Sequence, residues 1–231
     1  MNKRIIILAN GTAPARRLLQ SYLRPDDILI CADGGANTAA KLSVTPKLIL
    51  GDLDSVSPRT LKKFKNVPQK QIREQNSTDL EKALSYAVAH HYTEALVFGA
   101  TGGRADHEFS NFSALSKFSD SLDIIFIDRY GEYISLENET VIHLPIGTTI
   151  SLLPLTLCKG VTTSGLKWNL TNELLGLGVR ESTRNVSMAE SVSIKFRTGK
   201  MIVFLARSIN KSPITKSKIK VSQIENQKIK K

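Results

Sequence analysis

The stretch Asp27-Ile28-Leu29-Ile30-Cys31-Ala32-Asp33-Gly34-Gly35-Ala36-Asn37 passes from an unbroken apolar run to an acid, two glycines and an amide. A short apolar run with no polar alternation belongs in a sheet covered on both faces. The polar residues behind it then stand where the strand ends. The same passage recurs along the first half of the chain. Arg4–Ala9 leads into Asn10-Gly11-Thr12-Ala13-Pro14, and Leu48–Gly51 into Asp52-Leu53-Asp54-Ser55. Ala95–Gly99 leads into Ala100-Thr101-Gly102-Gly103-Arg104-Ala105-Asp106-His107, and Leu122–Asp128 is a fifth apolar run. Between these runs lie predicted helices at Ala13–Ser21, Gly35–Leu42, Pro58–Phe64, Thr78–His91 and Asp106–Phe118. The fourth starts at a Ser77 or Thr78 cap, with Leu80, Ala83, Leu84, Ala87 and Val88 at helical spacing behind it. Strand–helix alternation predicts an α/β domain with a mostly parallel sheet.

After about residue 130 the period changes to two, as in Val192, Ile194 and Phe196, and turns such as Pro145-Ile146-Gly147 and Thr198-Gly199 appear. This predicts a small antiparallel β-sandwich following the α/β domain. The expected division is 1–130, 131–207 and a basic, flexible tail over 208–231.

The chain has 231 residues, 41% of them hydrophobic, enough for a packed core and against wholesale disorder. No run approaches the roughly 18 apolar residues of a membrane span, which argues against an integral membrane protein. The N-terminal apolar stretch stops at Asn10-Gly11, too short for a signal peptide. Two cysteines, Cys31 and Cys158, make no disulfide framework and suggest a reducing, cytoplasmic location. Cys31 reads as a buried thiol. His90 and His91 read as residues of a helix end. The net charge of +11 invites a nucleic-acid partner, but seven lysines against one acid lie in 208–231, more than half of the excess. That segment has no aromatic residue to stack on bases, so no nucleic-acid partner is expected.

In an open α/β sheet the ligand crevice lies outside the carboxyl ends of the strands. The residue types gathered there suit phosphate and a divalent cation. Asp33, Asp52, Asp54, Asp79 and Asp106 offer the hard oxygen donors that Mg²⁺ prefers. Asp52 and Asp54 share a face only if the run between them is extended. Gly34-Gly35 and Gly102-Gly103 let backbone N–H groups approach anionic oxygens, and Arg104 can fork onto a phosphate. Each acid also has a plain structural role open to it: Asp106 could cap the following helix and Asp79 could support a first turn. Five carboxylates at one sheet edge repel one another, which a cation would relieve. There is no G-x-x-x-x-G-K-[ST] loop, no G-x-G-x-x-G fingerprint and no G-x-S-x-G elbow.

Taken in order, Ile7–Gly11, Cys31–Asn37, Gly51–Ser55, Ser77–Leu84, Gly99–Asn111, Ser164–Leu170 and Ser182–Asn185 resemble the thiamine pyrophosphokinase family over residues 4 to 207. The resemblance implies transfer of a pyrophosphoryl group from ATP to the hydroxyl of thiamine, giving thiamine diphosphate and AMP. It implies Mg²⁺ as cofactor and a homodimer in which the β unit of one subunit completes the α/β site of the other. It implies Asp33, Asp52, Asp54, Asp79 and Asp106 as the metal set, with Asp52, Asp79, Lys82, Arg104 and Asp106 as the catalytic group. Asp33, Gly34, Gly35, Asn37, Thr101, Gly102, Arg104 and His107 would bind ATP. Trp168, the sole tryptophan, would stack on the flat thiamine cation, and Ser182 and Asn185 would bond its aminopyrimidine edge. Without the resemblance, Trp168 reads as a packing residue of the β unit. Two departures stand out. Glu74-Gln75-Asn76 occupies the place of the family's common Asp-Gln-Asp, and Arg184 sits near the expected cationic substrate, where phosphate is its expected partner. A module that binds thiamine without turnover is the alternative class.

Overall fold

The computed structural model describes residues 3–207 and 219–221. The chain divides into two compact units, Met1–Ser135 and Leu136–Lys231.

The first unit contains β1 (Arg4–Leu8), α1 (Arg16–Tyr22), β2 (Ile28–Ala32), α2 (Gly35–Leu42), β3 (Leu48–Gly51), α3 (Pro58–Lys63) and β4 (Gln69–Gln71). There follow α4 (Asp79–Ala89), β5 (Glu94–Phe98), α5 (Ala105–Phe118), β6 (Asp123–Ile127) and β7 (Gly131–Leu136). Its strands lie in the order β7-β6-β5-β1-β2-β3-β4. All neighbours from β6 to β4 pair in parallel, and β7 folds back antiparallel on β6. Ile5, Ile6, Ile7 and Leu8 are fully buried, as are Phe98 and Phe126, so the apolar runs fill a sheet with both faces covered. Cys31 is a buried free thiol. Chain order runs outward from β1 to β4, and α4 then returns the chain to β5 on the other side of β1. The direction of strand addition thus reverses at β1/β5, the place where open α/β sheets form ligand crevices.

All five predicted helices form, α2 with the predicted bounds and the other four with shifted ends. Thr78 caps α4 through a reciprocal capping box with Glu81. His90 is the residue that closes α4, stacked on Tyr86. β4 lacks any apolar signal, since Gln69, Lys70 and Gln71 are all exposed on a sheet edge, and periodicity passes over it.

The second unit is antiparallel. One group of strands runs β12-β9-β14, formed by Ser182–Val186, Thr149–Pro154 and Met201–Ala206. The other runs β11-β10-β13-β8-β15, formed by Glu173–Leu175, Cys158–Ser164, Ser191–Lys195, Glu139–His143 and Ile219–Val221. Val192, Ile194 and Phe196 are buried while Ser191 and Lys195 are exposed, which is the alternation expected of a half-buried strand. Within the segment expected to be a flexible tail, residues 219–221 pair antiparallel with β8. The remainder of 208–231 lies outside the described residues.

Candidate active site

The acids of the first unit are positioned by the ends of β2 and β3. Asp33 follows β2 with φ +42°, a left-handed conformation that Asp tolerates better than most residues. Its N–H donates to the Leu50 carbonyl at 2.8 Å, tying it to the end of β3. The side chain is buried and its Oδ1 has no hydrogen-bond partner. Burial pushes the carboxyl pKa upward, with the charges of Asp79 and Asp52 adding to it and the nearby Ser55 hydroxyl and Gly34 N–H opposing.

Asp52 and Asp54 reach the same place by a route other than a shared strand face. Leu53 between them has φ +70°, so the run is a turn, and the Asp54 N–H donates to Asp52 Oδ1 at 3.2 Å. The turn gathers carboxylate oxygens of Asp33, Asp52 and Asp54 within 4.8 Å of one another. Asp52 is held below the usual carboxylate range, chiefly by that Asp54 N–H. Gly51, at φ +141°, leaves the room this requires: a Cβ there would lie 2.9 Å from both Asp33 Cβ and Asp79 Oδ1. Asn37 holds the loop from α2, donating to the Ser55 carbonyl at 2.8 Å and accepting from the Ser57 N–H at 3.0 Å.

A cleft of about 560 Å³ lies over these strand ends. Asp33, Asp52, Asp54 and Asp79 line it, with Lys82, Thr101, Arg104 and His107. Lys82 is almost fully buried and donates to Asp79 Oδ1 at 3.1 Å. Among the described residues, Asp79 and Asp106 stand outside the close triad. Asp106 does not line the cleft: in the first turn of α5 it receives both the Nε and Nη2 of Arg104, at 3.1 and 2.7 Å. That bidentate bond holds its pKa down to about 2. It is therefore placed to orient Arg104. Gly34, Gly35, Asn37 and Gly102 also lie outside the lining. Gly35 is required by packing, since a Cβ there would collide with the Leu8 carbonyl, and Gly102 abuts Thr12.

Sequence reasoning passed over Asn10, Gln75, Glu108 and Asn111, all of which line the cleft. Arg104, His107, Glu108 and Asn111 fall at helical spacing on the start of α5, a polar face that a periodicity count of polar residues reveals. Asp128 was also missed. It accepts the Thr101 hydroxyl at 3.1 Å and the Tyr133 hydroxyl at 3.2 Å on Oδ2, and the N–H groups of Tyr130 and Gly131 on Oδ1. It thereby fastens the loop after β5 to the β6–β7 turn.

In the second unit Trp168 is 56% exposed, so it is not the packing residue that its type alone suggests. Lys167 Nζ stands 4.7 Å from the centre of its ring. Asn185 is buried and bonded to the backbone of Trp168. Ser182 pairs opposite Leu152, and Arg184 sits on a β-bulge with φ +56°, its N–H on the Ser151 hydroxyl.

Parallel strand ends carrying three convergent carboxylates, beside buried and exposed cations in a polar cleft, define an α/β protein suited to phosphate and a divalent cation. Comparison with known proteins makes this specific. Residues 19–126 match the family description "Thiamin pyrophosphokinase, catalytic domain" and residues 129–201 "Thiamin pyrophosphokinase, vitamin B1 binding domain". Thiamine pyrophosphokinase 2 of Oryza sativa subsp. japonica is 32% identical over 203 residues, covering 72% of this chain and 73% of its own. The Bacillus subtilis thiamine pyrophosphokinase structure aligns with TM-score 0.78 at 25% identity, covering 90% of this chain and all of that one. The Candida albicans enzyme, at 19% identity and TM-score 0.78, shares the fold. The chain belongs to the thiamine pyrophosphokinase family, enzymes that transfer a pyrophosphoryl group to thiamine.

Proposed function

We propose that the chain transfers the pyrophosphoryl group of ATP to the hydroxyl of thiamine, with AMP as the leaving product, using the acid-lined cleft of the first unit for Mg²⁺ and the phosphates. The observation that carries the cation is that Asp33 Oδ1 is buried without a hydrogen-bond partner, on a residue whose carboxylate lies with those of Asp52 and Asp54 within 4.8 Å of one another. An unpaired buried carboxylate is costly, and a hard divalent ion on Asp33, Asp52 and Asp54 removes the cost. When bound, Mg²⁺ supplies neutralisation of phosphate charge. The remaining work falls to side chains. Lys82, fixed by Asp79, and Arg104, fixed by Asp106, present positive charge to phosphate oxygens as charge moves onto the departing AMP. Thr101 and His107 border the nucleotide.

Thiamine stands against the exposed indole of Trp168, where stacking and cation–π attraction suit a flat cation. Arg184 is directed to phosphate. We further infer a homodimer with shared sites, on the strength of the family resemblance, and a cytoplasmic location, in keeping with two free buried cysteines. Among the described residues no helix is long and apolar enough to cross a membrane.

The deciding experiment supplies ATP, Mg²⁺ and thiamine and separates AMP from ADP. AMP with thiamine diphosphate is expected. ADP with thiamine monophosphate overturns the pyrophosphoryl step, and thiamine binding without turnover at any Mg²⁺ concentration favours a non-catalytic module. Shared sites are tested by mixing Asp52→Asn with Trp168→Ala subunits: activity at the wild-type thiamine KM supports them, and activity only at the raised KM of Trp168→Ala in a proven mixed dimer opposes them.

A further inference from the structure

Asn185 is 3% exposed, and its amide is spent on the chain that carries the tryptophan. Its Oδ1 accepts the N–H of Trp168 at 3.2 Å and that of Val186 at 2.9 Å, and its Nδ2 donates to the Trp168 carbonyl at 2.7 Å. An amide oxygen has two lone pairs, so the acceptor is fully used, and one N–H of the donor remains. The side chain thus imitates a neighbouring strand, taking both backbone groups of one residue. The flanking backbone continues the pairing. Lys167 N–H donates to the Val186 carbonyl at 2.8 Å, and Leu166 bridges to Ser187. The ring itself is 56% exposed, with Lys167 Nζ 4.7 Å from its centre, so its placement depends on its backbone.

We propose that Asn185 acts on thiamine through Trp168, as a positioning residue that fixes the backbone of residue 168 and so the plane of the exposed indole. This rests on Trp168 being the wall of the thiamine site. The clamp explains why a buried amide is placed beside an exposed aromatic residue. A flat cation gains from an indole only when the face is presented at the right angle and depth, and a loop free to turn would forfeit that gain to ordering entropy.

Trp168 is the only tryptophan, so its emission reports on this corner alone. Asn185→Ala removes all three bonds. Asn185→Asp keeps the acceptor but sets a carboxylate oxygen against the Trp168 carbonyl. Both variants are checked for folding by circular dichroism and thermal unfolding, and the near-isosteric Asp variant carries the test should the Ala variant not fold. Loss of such a clamp should raise the KM for thiamine about five- to tenfold, leave the KM for ATP within about twofold, and shift the emission and its quenching by acrylamide. The double variant with Trp168→Ala should be no worse than Trp168→Ala alone, within about twofold. Multiplicative effects in the double variant make Asn185 a direct thiamine ligand and overturn the proposal, as does unchanged emission. A Trp168→Ala enzyme with normal thiamine KM removes the tryptophan from the site, and the proposal falls with it. The three failures are distinguishable.

Discussion

The strand-end cleft of the first unit and the Trp168 corner of the second use polar residues in opposite ways. In the cleft the functional groups are held under electrostatic tension: Asp33 is buried, left-handed and lacks a partner for Oδ1, while Lys82 is buried against a single carboxylate. At the corner the polar residue is bonded at both its amide oxygen and its amide nitrogen, and the group offered to solvent is aromatic. A site that manages moving phosphate charge needs unneutralised charge before substrate arrives. A site that recognises a flat cation needs a surface held at a fixed angle. The first arrangement costs stability and the second adds to it.

The largest effect that could break this contrast comes from Asp33→Asn. Asparagine tolerates the left-handed backbone and removes the buried charge. Turnover should fall by at least about a hundredfold, corresponding to about 2.7 kcal/mol. The metal-free protein should meanwhile unfold at a higher temperature than wild type. Lower stability together with lost activity would show that Asp33 is not under tension. Asp52→Asn should lose activity comparably without the gain in stability, because Asp52 is already favoured in its charged form by the Asp54 N–H.

Next is Asp128→Ala, which removes four bonds: one to Thr101 in the loop after β5, and three to Tyr130, Gly131 and Tyr133 of the β6–β7 turn and β7. A loss of about 1–3 kcal/mol of stability is expected from the freed N–H and hydroxyl groups. The KM for ATP should rise several-fold as Thr101 loses its anchor, and that for thiamine should not. Equal changes in both would mean that the loop serves the whole site and not the nucleotide side.

Trp168→Ala should raise the thiamine KM about tenfold, consistent with about 1–2 kcal/mol for a cation on an indole. Because the ring is exposed, the unfolding temperature should hardly move, in contrast to a core tryptophan. A large thermal loss would return Trp168 to a packing role.

The two regions also differ in how far they could be foreseen. A parallel strand covered on both faces is apolar along its length, and its carboxyl end opens to the crevice, so the acids could be placed from the runs alone. The Leu53 turn was not foreseeable, because a left-handed leucine has no compositional signal; the acids converge by a turn, without the extended run that a shared strand face requires. Asp106 carried both a cap and a metal ligand as possible roles, and in the folded chain its carboxylate turns to Arg104. β4 was invisible because an exposed edge has no apolar face to register. In the β unit, alternation marks Val192 and Ile194 as inward but does not reach the loop that carries Trp168. Whether an aromatic in a loop packs or protrudes is decided by its backbone partners, here a side chain 17 residues away.

The smallest expected effect marks the boundary of the cleft. Glu81 lines it, yet its bonds are to the scaffold: it accepts the Thr78 N–H at 3.0 Å in the capping box and Lys117 Nζ at 2.8 Å. Burial alone would raise its pKa, but the bond from Lys117 and the Thr78 N–H prevail and the pKa is lowered. A depressed carboxylate contributes stability that is present above its unfolded pKa, about 4.3, and is lost as pH falls through the lower folded value. Glu81→Gln should therefore cost at most about 1 kcal/mol at pH 7, with the two proteins converging in unfolding temperature as the pH drops below about 4. Its kcat and both KM values should stay within about twofold of wild type, since the neutral amide still accepts the Thr78 N–H and Asp79 still fixes Lys82. A larger kinetic loss would extend the charged set beyond Asp79 and Lys82 and make Glu81 part of the phosphate machinery.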